Sequence, residues 1–417
     1  MAELLIIADD LTGAIEAGVQ LSKHGIPAVV VIDSNTELKT QLINKNITAL
    51  VVNAESRHLL PEEAADKISK VLDSAKDSGI KWYYKKTDST MRGNIGSELE
   101  AFIRGTNQSV LPYIPAHPKL KRFTRDGYQY IDDNLLHQTS FARDPFEPVK
   151  SSFVPEILKN QSEIEIQFYK PTDTSSEDLA AENRKILVFN CNSEADLHSI
   201  GKIILKNGWH RAISGTAGFV EILPGLLPLG LSKINMETPG GSILFVNGSL
   251  NAVSLEQVNY AKENGVLTLF LTQNMISSPD FRNISDYKKI INKIRSEFKH
   301  GRDVIISTND SIHPEIANDT IYRNYQSFSM QTGSIISAIL NEVPITVLCV
   351  FGGDTLTGIL KKSGGKYIET KNEILPGVSC TTADISSGTI YLLSKPGGYG
   401  DKDEILKIIN HFKFSGK

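Results

Sequence analysis

Short apolar runs, many of them β-branched, recur along the chain, and each is followed by a stretch with apolar positions three and four apart. Leu4 to Ala8, Ala28 to Ile32, Ile47 to Asn53, Trp82 to Lys85 and Lys185 to Cys191 read as strands in the first half. The pattern restarts after Gly240 with Ser242 to Asn247, Val266 to Leu271, Asp303 to Ser307, Ile345 to Phe351 and Ile390 to Ser394. Such alternation predicts parallel sheets covered on both faces, so the expected fold class is α/β, with two domains, each a mostly parallel sheet flanked by helices.

The segment Leu223 to Gly241 holds Pro224, Gly225, Pro228, Gly230, Pro239, Gly240 and Gly241, more breakers than a helix or a central strand tolerates. It sets the expected boundary, giving domains 1–235 and 236–417. Residues 112–153 carry many prolines, charges and aromatics and read as a long insertion or an irregular flap.

Composition narrows the class of function. The 417 residues are 40% apolar, with 44 Lys+Arg against 48 Asp+Glu, an ordinary folded balance that excludes a disordered or coiled-coil chain. A net charge of -4 supplies no field to hold a polyanion, so no nucleic-acid partner is expected. Cys191, Cys349 and Cys380 are far apart and lack metal-ligand spacing, which reads as reduced, buried thiols. The N-terminal apolar run stops at two carboxylates, too short for a signal peptide, and no stretch is long enough to span a bilayer. A cytoplasmic protein with no membrane partner is the expectation.

The first strand-helix junction reads Ala8-Asp9-Asp10-Leu11-Thr12-Gly13-Ala14. In open parallel sheets the carboxyl ends of strands line the ligand crevice, so two carboxylates here are well placed. A helix cap explains one Asp but not two adjacent ones, which favours a ligand or metal role. A second junction, Lys85-Lys86-Thr87-Asp88-Ser89-Thr90-Met91-Arg92-Gly93-Asn94, precedes a helical pattern at Ile95 to Ile103. Lys86, Asp88, Ser89, Arg92 and Asn94 are denser than capping requires and suit an anionic polyol, with the Arg92 guanidinium as a bidentate carboxylate clamp. Arg57, in Glu55-Ser56-Arg57, and His137 with Arg143-Asp144-Pro145 are weaker candidates to complete the cleft.

Three strand ends in the second half carry glycine or serine turns: Asn247-Gly248-Ser249, Gly352-Gly353-Asp354-Thr355 and Gly397-Gly398-Tyr399-Gly400. Backbone N–H groups at such turns, with a helix dipole behind them, cradle phosphate. The P-loop pattern fails at Gly365-Lys366-Tyr367, and the dinucleotide fingerprint fails after Gly398-Tyr399-Gly400. Residue types alone leave ATP and a dinucleotide both open, and with them a kinase, a nicotinamide-dependent hydroxy-acid oxidoreductase or a two-domain sensor.

Taken in order, the Asp9-Asp10-Leu11-Thr12-Gly13 junction, the Lys86-to-Asn94 run, Phe141-Ala142-Arg143-Asp144-Pro145, Gly352-Gly353-Asp354-Thr355 and Gly397-Gly398-Tyr399-Gly400 resemble the four-carbon acid sugar kinase family over nearly the whole chain. The resemblance implies an N-terminal acid-sugar domain and a C-terminal ATP domain, with transfer to O4 of D-threonate, D-erythronate or 3-oxo-tetronate. It implies that Asp9, Asp10, Lys86, Asp88, Ser89, Arg92 and Asn94 face the acid, and that Ser249, Gly352, Gly353, Asp354, Thr355, Gly397, Gly398 and Gly400 hold ATP; Arg57 is added to the substrate side on the reading of its own loop. The Lys86-to-Asn94 run looks more like the threonate or erythronate branch than the oxo-tetronate branch, which leans the reading to D-threonate, whereas His117-Pro118-Lys119-Leu120-Lys121 departs from the family's small, Gly-rich residues.

On this reading Arg92 and Ser89 bind the substrate carboxylate, and Asp10 orients or deprotonates the hydroxyl. Asp354 acts near ATP and Mg²⁺, whose ligands stay open. A small sugar acid is the expected partner, and a homodimer is the assembly to test.

Overall fold

In a computed structural model the alternation resolves into two units, Met1–Ile234 and Asn235–Lys417. The structure describes residues 2–34, 38, 47–76, 78–144, 147–169, 184–232, 234, 240–308 and 320–415. Part of the breaker-rich segment, including Pro239, and Pro145 of the Arg143-Asp144-Pro145 triplet lie outside them.

The first unit is built on β1 (Leu4–Ala8), β2 (Ala28–Val31), β3 (Ala49–Asn53), β4 (Trp82–Lys86) and β5 (Val110–Ile114). A small antiparallel sheet follows, β6 (Arg122–Arg125), β7 (Tyr128–Ile131) and β8 (Asn134–Leu135). The main sheet then completes with β9 (Glu165–Phe168), β10 (Lys185–Val188) and β11 (Ala212–Gly215), in the order β2-β3-β1-β4-β11-β5-β10-β9, every pair parallel. All five residues of β1 are buried, as a central parallel strand covered on both faces requires. Helix Leu11–Ser22 has Ala, Gly, Ile, Val and Leu on nearly every side and is buried almost all round. Helix Pro61–Ser74 buries only Ala64, Ile68, Val71 and Leu72, one face at helical spacing.

Three strands of this sheet, β5, β9 and β11, are absent from the pattern reading. Pro112 sits inside β5, between two partner strands, where proline is ordinarily excluded. Residues 112–153 are therefore not one irregular flap: they begin in a central strand, continue as the β6–β8 sheet and then pass through short turns.

The second unit holds β12 (Ile243–Asn247), β13 (Leu267–Phe270), β14 (Val304–Ser307), β15 (Val347–Phe351), β16 (Tyr367–Leu375), β17 (Val378–Ile385) and β18 (Gly388–Lys395), in the order β13-β14-β12-β15-β18-β17-β16. The first five are parallel, and β16–β17–β18 form an antiparallel meander at one side. Ile243, Phe245, Cys349, Phe351, Cys380 and Leu393 pack in its core against Ile405, Ile408 and Phe412 of helix Glu404–Ser415. All three cysteines are buried free thiols. Helices Thr320–Glu342 and Gly353–Lys362 touch through Gly333 and Gly358, where a Cβ would come within 2.3 Å of the opposite backbone.

Candidate functional site

β1 runs beside β4 on one side and β3 on the other, with Ala8 in register with both Lys86 and Asn53. The chain leaves all three strands at the same end of the sheet. Asp9-Asp10, Glu55-Ser56-Arg57 and Thr87-Asp88 thus share one crevice.

Arg57 binds both adjacent carboxylates, with Nε 2.7 Å from Asp9 Oδ2 and Nη1 2.9 Å from Asp10 Oδ2. Asp10 also caps helix Leu11–Ser22, accepting the Gly13 N–H on Oδ1 at 2.8 Å. Both Asp10 oxygens are therefore engaged. Asp9 is 3% exposed, and its Oδ1 is buried with no hydrogen-bond partner among the described residues. A buried acceptor without a donor is costly, which makes this oxygen a candidate contact for a ligand. Burial pushes the Asp9 carboxyl up, but Arg57, Lys85 and Lys86 outweigh it and hold the group below its ordinary range.

Asn94 lies behind this arrangement. Its Nδ2 donates to the carbonyls of Ser56, Arg57 and Leu59 at 2.9, 3.3 and 2.7 Å and so fixes the loop that carries Arg57. Expected to face a ligand, Asn94 instead spends its donor nitrogen on the protein. Gly93, at φ 85°, allows the loops to meet, since a Cβ there would lie 3.0 Å from Arg57 Cγ.

Arg92 donates through Nε to Asp88 Oδ2 at 2.7 Å and lies through Nη1 3.2 Å from Asp144 Oδ2, with its guanidinium 5.3 Å above the Phe141 ring. Two of its nitrogens are thus held by carboxylates, and Nη2 has no protein partner among the described residues. Thr90 donates its hydroxyl to the same Asp88 oxygen. Burial raises Asp88, yet Arg92 and Arg57 prevail and hold it far below the carboxylate range.

Strand alternation sends Lys85 and Lys86 to opposite faces of β4. Lys86 Nζ donates to the Thr87 carbonyl at 3.0 Å and lies 3.8 Å from Glu16, passing over Gly13, where a Cβ would lie 2.8 Å from it. Lys85 is fully buried, 2.7 Å from the equally buried Glu98, whose carboxyl burial pushes up against the pull of Lys85. Ser89 is half-buried, and its carbonyl accepts from Gln129 Nε2 at 3.0 Å, so the β6–β8 sheet braces the turn.

The remaining first-half candidates divide. Asp144 joins the crevice through Arg92, Arg143 is exposed, and His137 Nδ1 pairs with Ser152 Oγ at 2.8 Å. His117 is 5% exposed, with Nδ1 3.7 Å from Glu16, and burial, with Lys86 and Arg122 nearby, pushes its imidazole down to about 3. Glu16, Lys85 and Glu98 escaped pattern reading. The available signal was a single carboxylate in each of two otherwise apolar helix faces.

In the second unit the three glycine loops converge. A Cβ on Gly248 would lie 1.9 Å from Thr355 Oγ1, and one on Gly397 would lie 2.1 Å from Ser249 Oγ. A Cβ on Gly398 would lie 3.1 Å from Asn251 Nδ2. Gly352, at φ 110°, begins helix Gly353–Lys362 without a side-chain cap, and a helix N-terminus is where backbone N–H groups can meet an anion. Asp354 is exposed on that first turn. Ser249, Gly352, Gly353, Asp354, Thr355, Gly397, Gly398 and Gly400 thus lie on adjoining loops. Among the described residues no group of three or more His, Cys, Asp or Glu side chains could hold a metal, and no helix is long and apolar enough to cross a membrane.

Residues 4–223 match the model of a sugar-binding N-terminal domain, and residues 244–405 that of a nucleotide-binding C-terminal domain. The chain is 27% identical to a D-threonate kinase of Salmonella typhimurium over 95% of both chains. It is 25% identical to a D-erythronate kinase of Heliobacterium modesticaldum, over 90% of this chain and 89% of that one. A 3-oxo-tetronate kinase of Haemophilus influenzae is 21% identical over 95% of this chain and 97% of its own. A crystal structure of a Salmonella typhimurium LT2 protein shares the fold, with a TM-score of 0.76 at 22% identity over 99% of both chains.

Proposed function

Because the chain belongs to the four-carbon acid sugar kinase family, we propose that it transfers the γ-phosphoryl of ATP to the 4-hydroxyl of a four-carbon sugar acid, D-threonate first among them. It is a carbohydrate-acid kinase. The Lys86-Thr87-Asp88-Ser89-Thr90 run looks more like the threonate or erythronate branch than the 3-oxo-tetronate branch, and similarity to a D-threonate kinase supports placing D-threonate first.

The observation that carries the chemistry is the unpartnered Oδ1 of Asp9, a buried carboxylate held by Arg57 through its other oxygen. Most of the rate in phosphoryl transfer comes from positioning and charge neutralisation. The acid's carboxylate meets Arg92 and Ser89, with Lys86 and Arg57 adding positive charge, while Asp9 Oδ1 accepts a substrate hydroxyl. As the O–P bond forms and the bond to ADP breaks, the hydroxyl proton passes to a carboxylate. Asp9 fits that role better than Asp10, whose oxygens already hold Gly13 and Arg57. Asp10 remains the residue that orients Arg57 and the helix start.

Ser249, Gly352 to Thr355 and Gly397 to Gly400 hold the nucleotide phosphates. Mg²⁺ fits the single exposed carboxylate of Asp354, because this ion keeps several waters and binds through one or two carboxylates plus phosphates. When bound, it neutralises phosphate charge.

The deciding experiment is ADP release by the purified chain with Mg-ATP and D-threonate, L-threonate, D-erythronate or 3-oxo-tetronate, counter-screened for NAD(P)H absorbance. Turnover dependent on one acid names the substrate. ADP release with none of them, alongside an NAD(P)H signal, would replace this proposal with the oxidoreductase reading.

A further inference from the structure

Lys395, the last residue of β18, is 1% exposed and stands in register with Phe351 of β15, so it lies beneath the loops that follow both strands. Its ammonium sits 4.7 Å from the Phe351 ring. Nζ donates to the carbonyls of Pro396 at 2.8 Å and Tyr399 at 2.5 Å. Two residues of helix Ala252–Glu263 reinforce the pattern. Ser254 Oγ donates to the Gly397 carbonyl at 2.6 Å, and Gln257 Nε2 donates to the Tyr399 carbonyl at 3.0 Å.

The direction of these bonds fixes the direction of others. In a trans peptide the C=O and the following N–H point to opposite sides, and among the described residues there are no cis bonds. Carbonyls 396, 397 and 399 are drawn inward, so the N–H groups of Gly397, Gly398 and Gly400 are turned outward. None of these three N–H groups has a protein acceptor among the described residues. Outward N–H groups over a buried cation form an anion nest.

We propose that Lys395 is a positioning residue for the nucleotide: by drawing the Pro396 and Tyr399 carbonyls inward, it aims the Gly397–Gly400 amides at a phosphate. This rests on the reading of these loops as the ATP site. Lys395 does not touch the nucleotide in this arrangement; it acts through the loop.

Burial pushes the Lys395 ammonium down to about 8, against the pull of Glu404 and Cys349. Those two groups, with the Phe351 ring and the backbone carbonyls, face it from the helix Glu404–Ser415, β15 and the loop. Glu404 and the Cys349 thiol are both raised by burial. As pH rises through about 8, the positive charge is lost and the charge-assisted bonds to the two carbonyls weaken to those of a neutral amine. Nucleotide affinity then falls. The group's contribution to fold stability moves the other way, because between about 8 and its unfolded value the unfolded chain binds more protons. A merely structural role therefore predicts no loss of affinity in that window.

The test is calorimetric titration of the full chain with Mg-ADP, and separately with D-threonate, for wild type, Lys395→Met and Lys395→Arg. Lys395→Met is expected to weaken Mg-ADP about tenfold or more and to leave D-threonate within about twofold, with partial recovery in Lys395→Arg. A folded Lys395→Met chain that binds Mg-ADP like wild type overturns the proposal. If Lys395→Met does not fold, wild-type Mg-ADP affinity is followed from about pH 7 to about pH 9.5, above the phosphate titration. A fall of about fivefold or more supports the proposal, and a flat profile overturns it. Wild type that binds neither Mg-ADP nor Mg-ATP at any pH would overturn the underlying nucleotide reading instead.

Discussion

Arg57 holds Asp9 through a 2.7 Å contact between Nε and Oδ2, in a place where the carboxylate is almost wholly removed from water. Its Nη1 reaches Asp10 at 2.9 Å, so one guanidinium neutralises two neighbouring carboxylates. Without it, Asp9 would be a buried charge facing only the more distant lysines.

Replacing Arg57 by Ala is therefore expected to destabilise the first unit by about 3–5 kcal/mol, measured by urea unfolding, because an uncompensated buried charge remains. The Asp9 carboxyl is held down in the folded chain, so its stabilising contribution is present above the unfolded carboxylate pKa of about 3.9 and is lost as pH falls through the folded value. In Arg57→Ala that loss should begin at higher pH than in wild type. An unchanged acid limb would argue against the pairing.

His117 predicts a separate limb. Its imidazole is pushed down to about 3 by burial, so below about pH 6.5 the unfolded chain binds the extra proton first and stability falls as pH drops. Acid unfolding of His117→Gln should lack the portion of this decline between about pH 6.5 and pH 4. Both proteins losing stability equally across that window would exclude His117 as its source.

Arg92→Ala should raise the KM for the sugar acid about tenfold or more while the KM for ATP stays within about twofold, since it removes a charged contact to one ligand only. Parallel increases in both constants would place Arg92 outside the proposed carboxylate contact.

Gly397→Ala drives a methyl to 2.1 Å from Ser249 Oγ, so one of the two loops must shift. The expected result is the reverse of Arg92→Ala: weaker ATP, unchanged acid affinity. Equilibrium binding of each ligand to the variant separates the two outcomes.

Asp354→Asn keeps the size of the side chain and removes its charge. Turnover should fall about a hundredfold or more with acid-sugar binding intact, and added Mg²⁺ should recover part of it. Full activity in this variant would remove Asp354 from the mechanism.

Much of this was legible in the chain itself. The β1, β2, β3, β12, β14 and β15 segments are runs whose burial on both faces is written as near-continuous apolar residues, and the α/β class follows from their alternation with helices. The chemistry-bearing junctions after β1 and β4 and the glycine turns after β12, β15 and β18 were equally visible, because their residue types depend on local backbone needs. What the chain alone left open was which of these elements are neighbours. Asn94 reads as a ligand donor until the fold brings it under the Arg57 loop, and Asp9 is indistinguishable from Asp10 until burial leaves one of its oxygens without a donor. Lys85 and Lys86 differ only in the face of β4 they occupy, yet one is sealed against Glu98 and the other reaches over Gly13. Composition and periodicity report the demands of a residue on its immediate backbone. Partner, burial and charge balance depend on contacts between residues tens or hundreds of positions apart, and only tertiary packing sets those.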